Sequence, residues 1–389
     1  MFNIQTLNKI SPSGLSRFTK EKYTYGDDIQ NPDAIMVRSA KMHDMEFGDN
    51  LKAIGRAGAG VNNIPLDRCS EEGIVVFNTP GANANAVKEL VIAGMLICSR
   101  RVIPAIEWAK TLKGNGAEVP KMVEKGKSAF TGPELVGKTL GVIGLGAIGI
   151  GVANTAKSLG MEVYGYDPYL SVDAAWHLSR SIKHSSNLDE IFANCDYITV
   201  HVPLTDETKG MINSKTISGM KDGVRILNFA RGDLVNTADV ISALSIGKVA
   251  AYVTDFANDE LLGVEGVIAI PHLGASTPEA EDNCAQMAAA GLLDYLENGN
   301  IVNSVNMPAV SCHRTDGARI CVIHKNNPGM ISHLSALFSS QNINIENMLN
   351  KSKNDYAYTL IDVAEKEIDE SIVTGIKNVE GTIRVRVIK

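Results

Sequence analysis

The stretch GVIGLGAIG, residues 141–149, restricts what this chain can fold into more than any other. An apolar run, KTLGVI, leads into it, a helix-like run, GVANTAKSLG, leaves it, and a second apolar run, MEVYGYDP, follows. That succession predicts strand, tight turn, helix and strand over 138–168. Each glycine has its own task in such a turn. Gly144 permits the sharp reversal, Gly146 lets backbone approach a pyrophosphate, and Gly149 lets helix and strand pack closely. The free N–H groups of the first helical turn then favour the phosphates. Asp167 ends the second strand, where its carboxylate suits a ribose diol and repels a 2′-phosphate. No arginine follows it, so NAD is expected rather than NADP. The competing reading is a purely structural βαβ turn with a capping Asp.

Similar alternation runs through the chain. AIMVRSA, LKAIGRAGAG and GIVVFNTPG read as strands ending in polar or Gly-rich loops. Residues 85–112 predict a long helix interrupted near Pro104, and 113–137, rich in Gly and Lys, a loop crossing. Strands follow at DYITVHVP, GVRILNFAR, AYVTDFA and VIAIPH, then a second long helix over 277–299. From Arg319 the order is strand, helix, strand, strand, helix, strand, a ferredoxin-like arrangement. A chain of 389 residues is too long for one core. The expectation is an α/β body with a doubly wound parallel sheet and a small α+β module appended.

Composition narrows the partners. A net charge of −7 argues against nucleic acid, which asks for a basic face. The longest apolar run, ELVIAGMLIC, stops at Arg100 and Arg101, too short to span a membrane. The six cysteines show no C-x-x-C pair and no metal-ligand spacing, so no metal is expected. With no leader-like N-terminus, a reducing cytoplasm is expected.

Reactive side chains gather at strand ends in the second half. ILNFARGDLV delivers Arg231 to a turn, AYVTDFANDELL carries Asp255 and then Glu260, and VIAIPHLGAST carries His272. Ligands of an open parallel sheet bind outside the carboxyl ends of its strands. Oxidising a secondary alcohol needs a base, for which His is suited. A carboxylate such as Glu260 would fix its tautomer, and a guanidinium would hold the carboxylate of a 2-hydroxy acid. Singly, each has a plainer role as surface Arg, capping Glu or backbone-bonded His.

NFARG, DFANDE and PHLGAST resemble the Arg, Glu and His motifs of the D-isomer-specific 2-hydroxyacid dehydrogenases, and VRSA, GRAGAGVNNI and NTPGANANAVKEL extend the likeness over nearly the whole chain. The resemblance implies His272 as acid/base, Glu260 as its partner and Arg231 as clamp on the substrate. It implies cofactor contacts at Ala147, Ile148, Val202, Pro203, Phe229, Ala230, Asp255, Gly274 and Ala275, beside Gly144, Gly146, Gly149 and Asp167. Arg38, Ser39, Gly58, Ala59, Gly60 and Asn83 would hold the substrate, with Arg56 and the lysines of 113–137 adding charge or merely solvated. The implied reaction is NAD-linked oxidation of 3-phosphoglycerate to 3-phosphohydroxypyruvate, the first step of serine biosynthesis. The implied layout is a discontinuous flavodoxin-like substrate domain (1–88 and 276–308), a cofactor domain (89–275) and a cleft that closes on substrate. A homodimer or homotetramer is implied as well. Two departures stand out: Leu261 follows Glu260 in a short loop where many relatives have a longer one opening Glu-Pro, and Val202 stands where many have Thr. Alternatives are a glyoxylate or hydroxypyruvate reductase, or a non-catalytic NAD-sensing scaffold.

The last residues, 318–389 after a linker at 309–317, resemble an ACT domain. IHKNNPG followed by NINIEN implies a serine site at His324, Asn326 and Asn344, whose amides suit a zwitterion. The plainer reading is an ordinary Pro-Gly connection between strand and helix.

Overall fold

The computed structural model describes all residues, 1–389, which divide into two compact units: Met1–Ala82 with Glu281–Lys389, and Asn83–Ala280. The first unit opens with β1 (Phe2–Leu7), α1 (Pro12–Leu15), β2 (Tyr23–Gly26), β3 (Ala34–Val37), β4 (Ala53–Arg56), α2 (Leu66–Glu71) and β5 (Val75–Phe77). These strands form an all-parallel sheet in the order β2-β1-β3-β4-β5, the flavodoxin-like arrangement. The central strand β3 is buried along its whole length, as its unbroken AIMV requires.

The second unit runs through α3 (Ala84–Ser99), α4 (Val102–Thr111), α5 (Val119–Gly126), β6 (Thr139–Ile143), α6 (Ala147–Ser158), β7 (Glu162–Tyr166), α7 (Val172–Trp176), β8 (Lys183–His184), α8 (Leu188–Asn194), β9 (Tyr197–Val200), α9 (Ser214–Ser218), β10 (Val224–Asn228), α10 (Thr237–Ser245), β11 (Val249–Thr254) and β12 (Val267–Ala269). Its parallel sheet is ordered β12-β11-β10-β9-β6-β7-β8, reversing direction between β6 and β9. That is the doubly wound sheet with its switch point beside the glycine turn.

One local expectation holds and one is corrected. The long helix is interrupted near Pro104, the break falling at Arg101, which takes a left-handed φ of 48°. Pro104 then falls in the first turn of α4, where its missing N–H has no helical acceptor to lose. The crossing 113–137 is not all loop. It holds α5, started by Pro120 and flanked by 3₁₀ turns, with no buried residue. A two-turn helix is too short to declare itself by period among glycines and lysines.

The first unit resumes with α11 (Pro278–Asn298) and the C-terminal module: β13 (Arg319–Lys325), α12 (Met330–Ser340), β14 (Ile345–Lys353), β15 (Tyr356–Val363), α13 (Glu370–Lys377) and β16 (Thr382–Ile388). Its antiparallel sheet is ordered β14-β15-β13-β16. Ile320 and Val322 pack with Leu334 and Ile376 of the covering helices. Cys321, Ile323, Tyr358 and Leu360 point the other way and join one core with Phe77, Leu292, Tyr295 and Leu296. Buried on both faces, β13 and β15 read as continuous apolar runs rather than alternating ones.

This sheet also closes the end of α11. The last carbonyls of a helix lack internal partners and favour positive charge. Here the Arg386 guanidinium donates to Tyr295 O (3.3 Å) and Leu296 O (2.9 Å), Arg319 to Asn298 O (2.8 Å), and the Tyr358 hydroxyl to Gly299 O (2.6 Å). Arg319 is itself paired with Asp362 through two bonds of 2.7 and 2.9 Å, with both side chains almost wholly buried.

Candidate active site

In the second unit the reactive positions line one edge of the parallel sheet. Reading across the strand order, the carboxyl ends carry His272 after β12, Asp255 after β11, Arg231 after β10, Val202 after β9, the glycine turn after β6 and Asp167 after β7. Five inter-strand steps make a row about 24 Å long, suited to an extended dinucleotide.

The glycine turn fits its three tasks. Gly144 has φ +94°, and a Cβ there would lie 2.7 Å from His201 O. A Cβ on Gly149 would lie 1.9 Å from Gly144 O, so helix and turn touch directly. Around Gly146 a Cβ would meet nothing, which leaves that face open to a ligand. Gly146 is also the N-cap of α6 and offers no capping side chain, so the first N–H groups remain for an anion. Asp167 accepts from Leu145 N and Tyr169 N, each at 2.8 Å, and so ties the turn to the end of β7. Each oxygen keeps a further lone pair for a hydroxyl.

At the other end of the row, Asn228 organises the arginine turn. Fully buried, it donates to Arg231 O (2.9 Å) and accepts from Ala230 N (3.2 Å), leaving the Arg231 side chain exposed. The exposed imidazole of His272 leans on the Phe256 ring, centroids 4.8 Å apart. Asp255 is 2% exposed; its Oδ2 accepts from Gly274 N (3.2 Å) and its Oδ1 has no partner. Burial raises its pKa above the ordinary carboxyl value, while the charges of His272 and Arg231 pull it back. A buried acceptor without a donor is costly, and a carboxamide N–H beside it would satisfy it. The orphaned oxygen, the open Gly146 and the uncapped helix together fit a nicotinamide dinucleotide.

The expected pairing of Glu260 with His272 is not formed. Glu260 is exposed while Leu261 beside it is buried, and the carboxyl that feels the charge of His272 is that of Asp255.

The first unit holds the expected substrate residues that precede Asn83. Arg38 and Ser39 follow β3, and Gly58, Ala59 and Gly60 follow β4, the strand beside it. Gly58 has φ +150°, and a Cβ there would strike the Arg56 guanidinium at 1.6 Å. Three asparagine side chains hold this edge, of which Asn63 and Asn78 lie within the quoted motifs and Asn8 lies outside them. Asn8 accepts from Ser39 N (3.0 Å) and Ala40 N (2.7 Å), and Asn63 donates to Ala40 O (2.8 Å). Asn78 donates to Ala59 O (2.7 Å). A left-handed asparagine just past a strand was the one available signal for Asn8. Asn83 is the N-cap of α3 and makes no capping bond. Two lysines of the crossing pair with nearby glutamates, Lys121 with Glu118 at 3.9 Å and Lys127 with Glu124.

In the C-terminal module the polar loop splits. Asn326 and Asn344 are exposed but lie at opposite ends of the sheet: Asn326 follows the end of β13 where Lys325 pairs with Tyr356, and Asn344 precedes Ile345, which pairs with Val363. His324 is 2% exposed and faces the helix-covered side of the sheet. It donates through Nδ1 to Lys325 O (2.7 Å) and shares the Thr359 hydroxyl through Nε2 (2.9 Å). The expectation of His324 as a direct ligand is corrected on that ground: strand alternation turned it inward.

Residues 92–274 match the family model for the NAD-binding domain of D-isomer specific 2-hydroxyacid dehydrogenases, and 320–384 match an AHAS small subunit-like ACT domain. The chain is 33% identical over 356 residues to a D-3-phosphoglycerate dehydrogenase of Haemophilus influenzae, covering 88% of this chain and 83% of that one. The chain belongs to the D-isomer-specific 2-hydroxyacid dehydrogenases. Within this dehydrogenase family it is also 34% identical over 329 residues to a D-3-phosphoglycerate dehydrogenase of Bacillus subtilis, spanning 80% of this chain but 60% of that relative's length. An NAD⁺-bound 3-phosphoglycerate dehydrogenase structure from Entamoeba histolytica superposes with a TM-score of 0.61 at 26% identity, over 78% of this chain and 98% of that one. A Rhodotorula graminis D-mandelate dehydrogenase shares the fold, with a TM-score of 0.67 over 80% of this chain and 99% of that one, at 22% identity.

Proposed function

We propose that this dehydrogenase oxidises D-3-phosphoglycerate to 3-phosphohydroxypyruvate with NAD. The observation that carries the reading is the row Arg231, Asp255 and His272 on three adjacent strand ends, in one sheet with an open glycine turn. NAD supplies the hydride acceptor. Arg231 holds the substrate carboxylate and the developing carbonyl through its planar fork. His272 takes the hydroxyl proton, its ring steadied by Phe256. Asp255 supports the charged imidazole, and Glu260 joins His272 once ligands are bound. The backbone of Gly58–Gly60, Ser39 and Asn83 orients the substrate, and Arg38 pairs with its phosphate. Relatives of both lengths carry the phosphoglycerate name, which favours this substrate over an unphosphorylated one.

L-Serine is proposed as effector at the exposed amides of Asn326 and Asn344 supplied by two paired copies of the module, with His324 bracing the Asn326 loop from behind. A homodimer or homotetramer is proposed from the apolar side chains that α3 and α4 leave exposed, Leu96, Val102, Ile103 and Ile106; light scattering that returned a monomer would remove it. Six free thiols favour a reducing cytoplasm.

The deciding experiment is an initial-rate panel on D-3-phosphoglycerate and D-glycerate, with and without millimolar L-serine. The phosphorylated substrate should win in kcat/KM, and His272→Gln should lower kcat at least about 100-fold. Equal kcat/KM for the two substrates, or full activity in the variant, would refute the assignment. No response to serine would remove the effector.

A further inference from the structure

We propose that Glu281 is a built-in counter-ion of Arg38 that weakens the grip of this site on a doubly charged phosphate. The proposal rests on the reading of Arg38 as the phosphate ligand. Arg38 Nη2 lies 2.8 Å from Glu281 Oε1, and the two side chains are 40% and 43% exposed. An incoming anion therefore reaches both groups, and so exposed a pair is weak enough to be exchanged.

Position and charge are separable here. The backbone that presents Arg38 is held without Glu281: Asn8 accepts from Ser39 N and Ala40 N, Asn63 donates to Ala40 O, and Arg56 Nε donates to Arg38 O at 3.0 Å. The carboxylate is thus not needed to place the loop. What it adds is negative charge at the guanidinium that is to receive the substrate's most charged group. It also occupies part of the guanidinium's N–H fork.

Glu281 cannot withdraw by moving its backbone. It sits in the first turn of α11, whose next residue, Asp282, accepts a hydrogen bond from Ser11. The other end of the helix is fixed by the carbonyl bonds from Arg319, Arg386 and Tyr358. Only the Glu281 side chain can swing aside. A phosphate dianion must displace it or bind beside it, and feels its repulsion either way. A neutral hydroxymethyl end, as in D-glycerate, pays almost nothing for the same neighbour. The pair therefore grades substrates by the charge of the remote group.

The test is Glu281→Gln, which keeps size and hydrogen bonding but removes the charge. Initial rates are measured on D-3-phosphoglycerate and D-glycerate, with inorganic phosphate as competitive inhibitor. The KM for phosphoglycerate and the Ki for phosphate should both fall about threefold to tenfold. The change should fall on KM rather than kcat, and the KM for D-glycerate should move less than about twofold. A phosphoglycerate KM that stays the same or rises overturns the counter-ion. Arg38→Gln separates this from the underlying reading: it should raise the phosphoglycerate KM at least about tenfold and cancel the effect of Glu281→Gln in the double variant. If Arg38→Gln leaves that KM unchanged, the phosphate assignment itself has failed. If it raises KM while Glu281→Gln lowers nothing, only the counter-ion has failed.

Discussion

His201 carries a consequence for pH that no motif announced. It follows β9, directly behind the glycine turn, and its Nε2 shares the Thr199 hydroxyl at 2.9 Å while its Nδ1 has no partner. Part of the residue is exposed, yet Nδ1 is shut off from water, and burial holds the imidazole down to about 4. An unfolded chain protonates this group near its ordinary 6.5, whereas the native state does not until about 4. Between those values the unfolded state binds more protons, so stability rises with pH across the window and is lost as pH falls from 6.5 toward 4. The depression corresponds to about 3 kcal/mol. Urea midpoints at pH 7 and pH 4.5 should separate clearly in the wild type, and the gap should shrink in His201→Gln. An equal gap in the two proteins would show that His201 does not carry it. At this scale the roles of Gly144, Gly146 and Gly149 were legible because each depends on backbone within a few residues. Glu281 was not, because its meeting with Arg38 joins positions far apart in the chain and exists only in the folded unit.

Among the elements, α11 shows how the carbonyls of a buried helix end can find donors from another part of the chain. Its last carbonyls receive Arg386, Arg319 and Tyr358, and Arg319 also donates to His313 O (3.0 Å) while paired with Asp362. A buried ion pair adds little net stability when complete, but removing one partner strands the other. Arg319→Met should therefore cost about 3–5 kcal/mol, and Arg319→Met with Asp362→Leu should recover part of that loss. Urea unfolding of the two variants checks it, and a double variant no better than the single would refute the account. The strands β10, β11 and β12 were legible because each apolar run ends at a polar turn. The capping of α11 was not, since RVRVI reads only as a strand with outward arginines. Nor was α5, whose apolar face of Val119 and Met122 is only two turns long and lies among glycines and lysines.

For the molecule as a whole, the C-terminal module reads in the sequence as a separable sensor, because a ferredoxin-like order of elements is complete in itself. The structure makes it part of the first unit's core. Cys321, Ile323, Tyr358 and Leu360 bury against Phe77, Leu292, Tyr295 and Leu296, and Lys353 donates to Val305 O (2.8 Å) in the segment running beside β5. Four such side chains contribute about 1.5–3 kcal/mol each, comparable with the 5–15 kcal/mol, roughly, that keeps a typical domain folded. Cutting the chain after Asp316 would expose that face and open the carbonyls at the end of α11. The expected product is a poorly soluble protein, or one whose Tm is lower by at least about 10 °C and which binds a hydrophobic dye. A plain tethered sensor predicts the opposite: a soluble, active enzyme with unchanged Tm that has merely lost its response to serine. Expressing the truncated and full-length chains side by side, with melting curves and rates for both, decides between them. If the truncated chain melts and turns over like the full one, the shared core is not what holds the first unit together.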